Sequence, residues 1–207
     1  IMAEACRQLA EWQHSWRVNG IPHARWPSMT LNVSGRQLMD PGFPDLLERT
    51  LAASGAAPRG LVLELTETVL LEHSDAVADA LGKLKALGVR FAVDDFGTGY
   101  SSLSYLRRFP VDILKIDRSF VEALSEDTND ALVRAIVALG ESMRLSTIAE
   151  GIETPTQRDA LAAMGCHAGQ GFLFAAPLSG DALRPWIALR SGDALPLARY
   201  ETAHRAA

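Results

Sequence analysis

Cysteine is scarce: Cys6 and Cys166 are the only two in 207 residues. That is too few for a disulfide scaffold, and no metal or redox spacing joins them, so both read as free thiols of a reducing compartment. Long apolar runs are missing too, and nothing approaches the ~18–20 residues needed to span a bilayer. The opening stretch Ile1-Met2-Ala3-Glu4-Ala5-Cys6-Arg7 has no basic segment ahead of an apolar one, so no secretory leader is expected there. These absences together predict a cytoplasmic chain. Charge of one sign is also lacking. Against 20 Lys+Arg stand 25 Asp+Glu, a net charge of −5, with no basic run. A chain of that balance does not grip DNA by bulk charge, and an anionic ligand would need a metal or a local cation. No Gly-x-Gly-x-x-Gly follows the first strand, which weakens a dinucleotide-binding reading. What is abundant is apolar side chain, 48% of the total, enough for a substantial core.

The apolar residues alternate between two periods. Ile1, Ala5, Leu9, Trp12 and Trp16 mark one face of a helix ended by Gly20 and Pro22. A strand is expected over 29–34, a helix over 43–54 and a strand over 61–65. A helix carrying Val77, Leu81 and Leu84, capped by Ser74, comes next, then a strand over 89–93. After the polar loop 94–102 and a short helix to Phe109 come a strand over 113–116 and a helix with Leu132, Ile136, Leu139 and Met143. A strand over 145–149 follows. Thr154-Pro155-Thr156-Gln157 is a capping box with proline at the first helical position. A last strand is expected near 169–174, and a last helix with Leu183, Trp186 and Ile187. One domain over 1–190 and a tail over 191–207 are expected. Six strand–helix units after an orphan leading helix suit parallel βαβ crossovers. A doubly wound sheet and a (β/α)8 barrel both fit. The orphan helix favours an α/β barrel with its first strand or strands absent from this chain.

In such a barrel, functional residues sit at the C-terminal ends of strands. Those ends carry Asn32, then Glu64-Leu65-Thr66-Glu67, Asp94-Asp95, Lys115-Ile116-Asp117, Glu150-Gly151-Ile152-Glu153, and Gln170. One polar residue at a rim is unremarkable, but six strands converging on the same chemistry are not. The donors are hard oxygens without a His or Cys cluster, which suits Mg²⁺, Mn²⁺ or Ca²⁺ rather than zinc. The five histidines show no ligand spacing and read as structural or surface residues. Lys115 at a strand end also admits a Schiff-base aldolase, but acidic neighbours oppose the apolar or cationic setting that reaction needs.

The string Asp94-Asp95-Phe96-Gly97-Thr98-Gly99-Tyr100-Ser101-Ser102-Leu103 resembles the signature loop of the EAL domains, the bacterial cyclic-di-GMP phosphodiesterases. The other rim motifs follow in the family's order and similar spacing. The resemblance implies a modified TIM (β/α)8 barrel that cleaves cyclic di-GMP to linear pGpG with two Mg²⁺ or Mn²⁺ ions. Ca²⁺, with its longer bonds and larger ligand number, is expected to inhibit. It implies Asn32, Glu64 and Asp94 as ligands of the first metal, with Asp94 bridging and Asp95 serving the second. Lys115 resembles the lysine contacting the hydrolytic water, and Gln170 the glutamine near it. Asp117 and Glu150 resemble second-metal or water-positioning acids. Glu67 resembles the residue that anchors the signature loop, and Glu153 lies toward guanine binding. The Glu-Ala-Leu motif that names the family is absent from its usual place ahead of the first helix, and a preceding strand carrying it is expected. The resemblance also implies a homodimer through the 94–109 region, and fusion to sensory or cyclase domains that could attach the protein to the inner membrane. A non-catalytic cyclic-di-GMP receptor is the alternative, although every matched position is intact.

Overall fold

The computed structural model describes residues 1–22, 26, 28–71, 74–98, 106–125, 130–180 and 182–183. They fall into two compact units, Ile1–Asp94 with Gly99–Asp112, and Asp95–Thr98 with Ile113–Ala207.

The first unit opens with helix α1 (Met2–Val18), which buries Ala5, Cys6, Leu9, Trp12 and Gln13. Ile1 is exposed and Trp16 half-buried, so the buried stripe is narrower than the apolar spacing predicts. Gln13 is the unforeseen member. Its Oε1 accepts from Ala57 N at 2.8 Å and its Nε2 donates to Ala57 O at 3.4 Å, which satisfies a buried amide. Strand β1 (Met29–Asn32) leads to the short helix α2 (Gly35–Leu38), capped by a Ser34–Gln37 box. Helix α3 (Phe43–Ser54) takes the predicted bounds, stops at the left-handed Gly55, and packs on α1. Strand β2 (Leu61–Thr66) runs into α4 (Glu67–Leu71), and α5 (Ser74–Ala86) precedes β3 (Arg90–Phe96). β1, β2 and β3 pair in parallel, with Asn32 opposite Glu64 and Glu64 opposite Ala92. Leu47, Leu61, Leu63, Leu81, Leu84 and Phe91 form this unit's core. At its floor Asp112 accepts from Phe91 N and from Lys85 Nζ, both at 2.8 Å or less.

The second unit repeats the scheme. Strand β4 (Ile113–Ile116) takes the predicted bounds and is followed by the five-residue helix α6 (Arg118–Glu122) and by α7 (Asp130–Met143). Strand β5 (Ser146–Ala149), helix α8 (Pro155–Ala163) and strand β6 (Ala168–Gly169) complete it, with β4, β5 and β6 parallel. Helix α7 turns inward by Val133, Ile136, Val137 and Gly140, whereas Leu132 is 43% exposed and Leu139 half-buried, so the predicted stripe is corrected by about one position. The last strand is two residues long rather than six. Beyond it Leu173 N donates across to Ile152 O, and Phe174 N donates to Gly171 O in a turn. The final helix lies outside the described residues except at Leu183, and so does the 191–207 tail.

The Thr154–Gln157 capping box is present, with Gln157 N donating to Thr154 Oγ1 at 3.2 Å and Thr154 N to Gln157 Oε1 at 3.0 Å. Thr154→Ala is expected to cost about 1 kcal/mol, read from the midpoint of urea unfolding.

Among the described residues no helix is long and apolar enough to cross a membrane. Cys6 and Cys166 are free and buried, and burial pushes both thiols up from their ordinary range. They are correspondingly unreactive. Thr147 Oγ1 lies 3.0 Å from His167 Nδ1, which gives His167 a structural partner, and His14 is exposed. His23, His73 and His204 lie outside the described residues.

Candidate active site

Strand pleating decides which polar residues share a face. Residues opposite one another in a parallel pair point to the same side, and so do residues two apart on one strand. Asn32, Glu64 and Ala92 are opposite one another in the first unit, and Asp94 stands two beyond Ala92. Asn32, Glu64 and Asp94 therefore occupy one face at the C-terminal ends of three adjacent strands. Glu64 is buried and Asp94 half-buried. At Asp95 the alternation breaks, because its φ of 53° takes the chain out of extended conformation. Consecutive carboxylates are thus released from the opposite-face rule of a strand, and Asp95 is exposed.

The same parity operates in the second unit. Lys115, Ile148 and Ala168 are opposite one another, and Asp117, Glu150 and Gln170 each stand two residues further on. The ladder continues past the strand ends, with Glu150 N donating to Ile116 O at 3.1 Å and Gln170 N to Ala149 O at 2.8 Å. The side chains meet as the parity requires. Lys115 Nζ lies 2.5 Å from Glu150 Oε1, and Gln170 Nε2 donates to the same oxygen at 2.9 Å. The Lys115 side chain is 5% exposed and that of Glu150 17%. An ammonium held in a buried ion pair is not the amine nucleophile an aldolase requires, which removes that reading.

Asp117 caps α6, its Oδ1 accepting from Ser119 N at 3.0 Å and from Ser119 Oγ. Burial opposes its ionisation, but the Ser119 hydroxyl and the Ser119 and Arg118 amides outweigh it and hold the carboxyl below its ordinary value. Glu153 is paired instead with Arg118, whose Nη2 donates to its Oε1 at 2.9 Å. Glu67 is buried at the start of α4, while residues 99–103 of the signature loop lie outside the described residues. Gly97 is described, and the Phe120 ring of α6 packs against it, 3.1 Å from where a Cβ would stand. Leu106 and Phe109 are buried at 2% and 5% exposure, so they belong to the chain's own core, and Leu103 lies outside the described residues. Reading the strand ends missed one residue of this rim: Phe172, two after Gln170, is 62% exposed. Its signal was the Gln170-Gly171-Phe172 string, where an aromatic follows a glycine at a strand end.

The donors gathered by parity are an amide oxygen and carboxylates, the chemistry of Mg²⁺ and Mn²⁺. Among the described residues no group of three or more His, Cys, Asp or Glu could by itself hold a metal ion. An ion would draw on the Asn32 amide as well as the carboxylates of Glu64 and Asp94, with water completing its shell.

The EAL domain family model matches residues 1–177. The chain belongs to the EAL domain family. MucR of Pseudomonas aeruginosa, described as a bifunctional diguanylate cyclase/cyclic di-GMP phosphodiesterase, is 40% identical over 189 residues, 91% of this chain and 27% of MucR. The chain thus spans about a quarter of that relative's length. The solved MucR phosphodiesterase in complex with c-di-GMP has a TM-score of 0.80 at 40% identity, covering 88% of this chain and 71% of that one. The EAL domain of Mycobacterium smegmatis DcpA has a TM-score of 0.81 at 37% identity, covering 90% and 82%. Klebsiella pneumoniae BlrP1, solved as a manganese/cy-diGMP complex, has a TM-score of 0.74 at 29% identity, covering 86% of this chain and 43% of that one. The fold class is that of the EAL domains, a modified (β/α)8 barrel of alternating strands and helices.

Proposed function

We propose that this EAL domain hydrolyses cyclic di-GMP to linear pGpG with two Mg²⁺ or Mn²⁺ ions. The observation that carries the reading is the Lys115–Glu150–Gln170 contact set at the strand ends of the second unit, in a family whose relatives include a c-di-GMP complex. Asn32, Glu64 and Asp94 would hold one ion, and Asp95 and Asp117 the other. When bound, the ions supply Lewis-acid activation of water and neutralise charge on the phosphoryl oxygens.

The protein's own groups do the rest. Water attacks phosphorus, an O–P bond forms, and the bond from phosphorus to the 3′ oxygen breaks. The proton of the attacking water passes to the Glu150 carboxylate, which afterwards releases it to solvent, and the departing 3′ oxygen takes a proton from solvent and ends as a hydroxyl. Lys115 Nζ and Gln170 Nε2 both hold Glu150 Oε1, so the accepting carboxylate is fixed in place before substrate arrives. Phe172 offers an exposed aromatic face to a purine base. Phe172→Ala is expected to raise KM severalfold and leave kcat within about twofold, because the ring touches the base and not the reacting atoms.

Calcium replacing Mg²⁺ or Mn²⁺ is expected to leave ligand binding but remove most hydrolysis. Its longer bonds and higher coordination number relax a geometry that the displacement needs. Equal rates in Ca²⁺ and Mg²⁺ would contradict the oxygen-ligand mechanism. The resemblance also implies a homodimer. With Leu106 and Phe109 turned inward, the exposed residues between them are Arg107 and Arg108, and Arg108 is paired with Asp75. Sedimentation across a concentration series tests this, and a chain that stays monomeric at high concentration removes the dimer.

A further inference from the structure

Arg118, the first residue of α6, lies across the turn that carries Glu150. A Cβ on Gly151 would stand 2.3 Å from Arg118 Cγ and 2.8 Å from its Cβ, so the arginine stem occupies the space that only glycine leaves. Gly151 also has φ +71°, a left-handed conformation that suits glycine. The head group then reaches two carboxylates. Nη2 donates to Glu153 Oε1 at 2.9 Å, and Nε donates to Glu122, one turn along α6. One side chain thus grips both the glycine and the last residue of the 150–153 turn. The far end of the turn is fixed separately, with Glu153 N donating to Gln157 Oε1 at 2.9 Å and Ile152 N to Gln170 O at 3.0 Å. Its near end carries Glu150, whose Oε1 receives Lys115 and Gln170.

A single exposed ion pair contributes little. Here the stem is seated against Gly151 and one guanidinium serves two carboxylates, so little rotamer freedom remains to be lost. We propose that Arg118 is a positioning residue: anchored by Glu153, it fixes the 150–153 turn and thereby places Glu150 against Lys115 and Gln170. The inference rests on the reading that Glu150 serves the hydrolysis of cyclic di-GMP. It also gives Glu153 a role other than touching ligand, because its carboxylate is the anchor that holds Arg118.

The test combines kinetics with Mn²⁺ and amide hydrogen exchange on the metal-free chain, using Arg118→Ala, Glu153→Ala, the double variant and Arg118→Lys. Each alanine variant is expected to lower kcat about tenfold with KM within about twofold, since a misplaced base costs rate rather than binding. The double variant is expected to be no worse than either single one, because both remove the same contact. Arg118→Lys should recover part of the rate. Exchange over 148–156 should rise equally in both single variants and no further in the double. Unchanged exchange in Arg118→Ala, or losses of rate that add in the double variant, would overturn the proposal. So would Glu153→Ala raising KM while Arg118→Ala is silent, which would mean that Glu153 touches the ligand. A wild-type chain that neither binds nor cleaves cyclic di-GMP refutes the proposed function instead, and the exchange results alone then decide for or against the clamp.

Discussion

Asp94→Asn is expected to abolish hydrolysis of cyclic di-GMP, by a factor on the order of 10³ or more, while binding falls far less. The substitution keeps the size of the side chain and removes one negative charge. Asp94 shares its face with Asn32 and Glu64, at the ends of three paired strands, so it is one of three oxygen donors available there to a cation. Replacing its carboxylate by an amide leaves two neutral donors and one charge, a much weaker set for a divalent ion. Phe172 is untouched by the change and can still meet a base. The check is paired: turnover with Mn²⁺ saturating, and a direct binding isotherm for the ligand. Turnover retained at saturating Mn²⁺ would remove the metal role assigned to Asp94.

Lys115→Met should be nearly as damaging to rate, and more damaging to stability. Lys115 has a 5% exposed side chain and pairs with Glu150 at 2.5 Å. Removing the ammonium leaves a carboxylate at 17% exposure without its cation, a change that costs about 3 kcal/mol when a pair is this buried. The rate should fall by roughly 10²–10⁴, the range associated with losing a positioned acid–base group. Urea unfolding and steady-state kinetics on the same preparation separate the two effects. A variant as stable as wild type, with unaltered kcat, would contradict the arrangement.

The strand ends were legible in the sequence because parity is a simple rule. Lys115, Asp117, Glu150 and Gln170 obey it without exception, and the pairing register then brings the side chains of Lys115, Glu150 and Gln170 into contact, while Asp117 caps α6. Helix α3 and strand β4 were equally clear, the first stopped by Gly55 and the second bounded by Pro110 and a helix cap at Asp117. Helices α2, α4 and α6 were not foreseen, since four or five residues are too few to show a period. The buried face of α7 was misplaced for a different reason. Apolar residues flank Ile136 on both sides, and what selects Val133 and Val137 is the close approach at Gly140, where a Cβ would stand 2.6 Å from Thr147 Cγ2. That approach belongs to tertiary packing and leaves no trace in a helical pattern. The sequence offers Asp95 as the second of two adjacent acids, but the φ of 53° that frees it from the strand is a backbone fact, invisible in a list of residues. The Arg118–Glu153 pair joins residues 35 apart in the chain, and only the structure shows that Gly151 makes room for the arginine stem between them.

The most direct test of the central claim is to incubate the chain with cyclic di-GMP and Mn²⁺ and to separate the products by chromatography. The account predicts a single linear product, pGpG, accumulating with time and absent from the Asp94→Asn reaction. Ligand bound at saturation and recovered intact as cyclic di-GMP would contradict it, and would make this EAL domain a receptor rather than a phosphodiesterase.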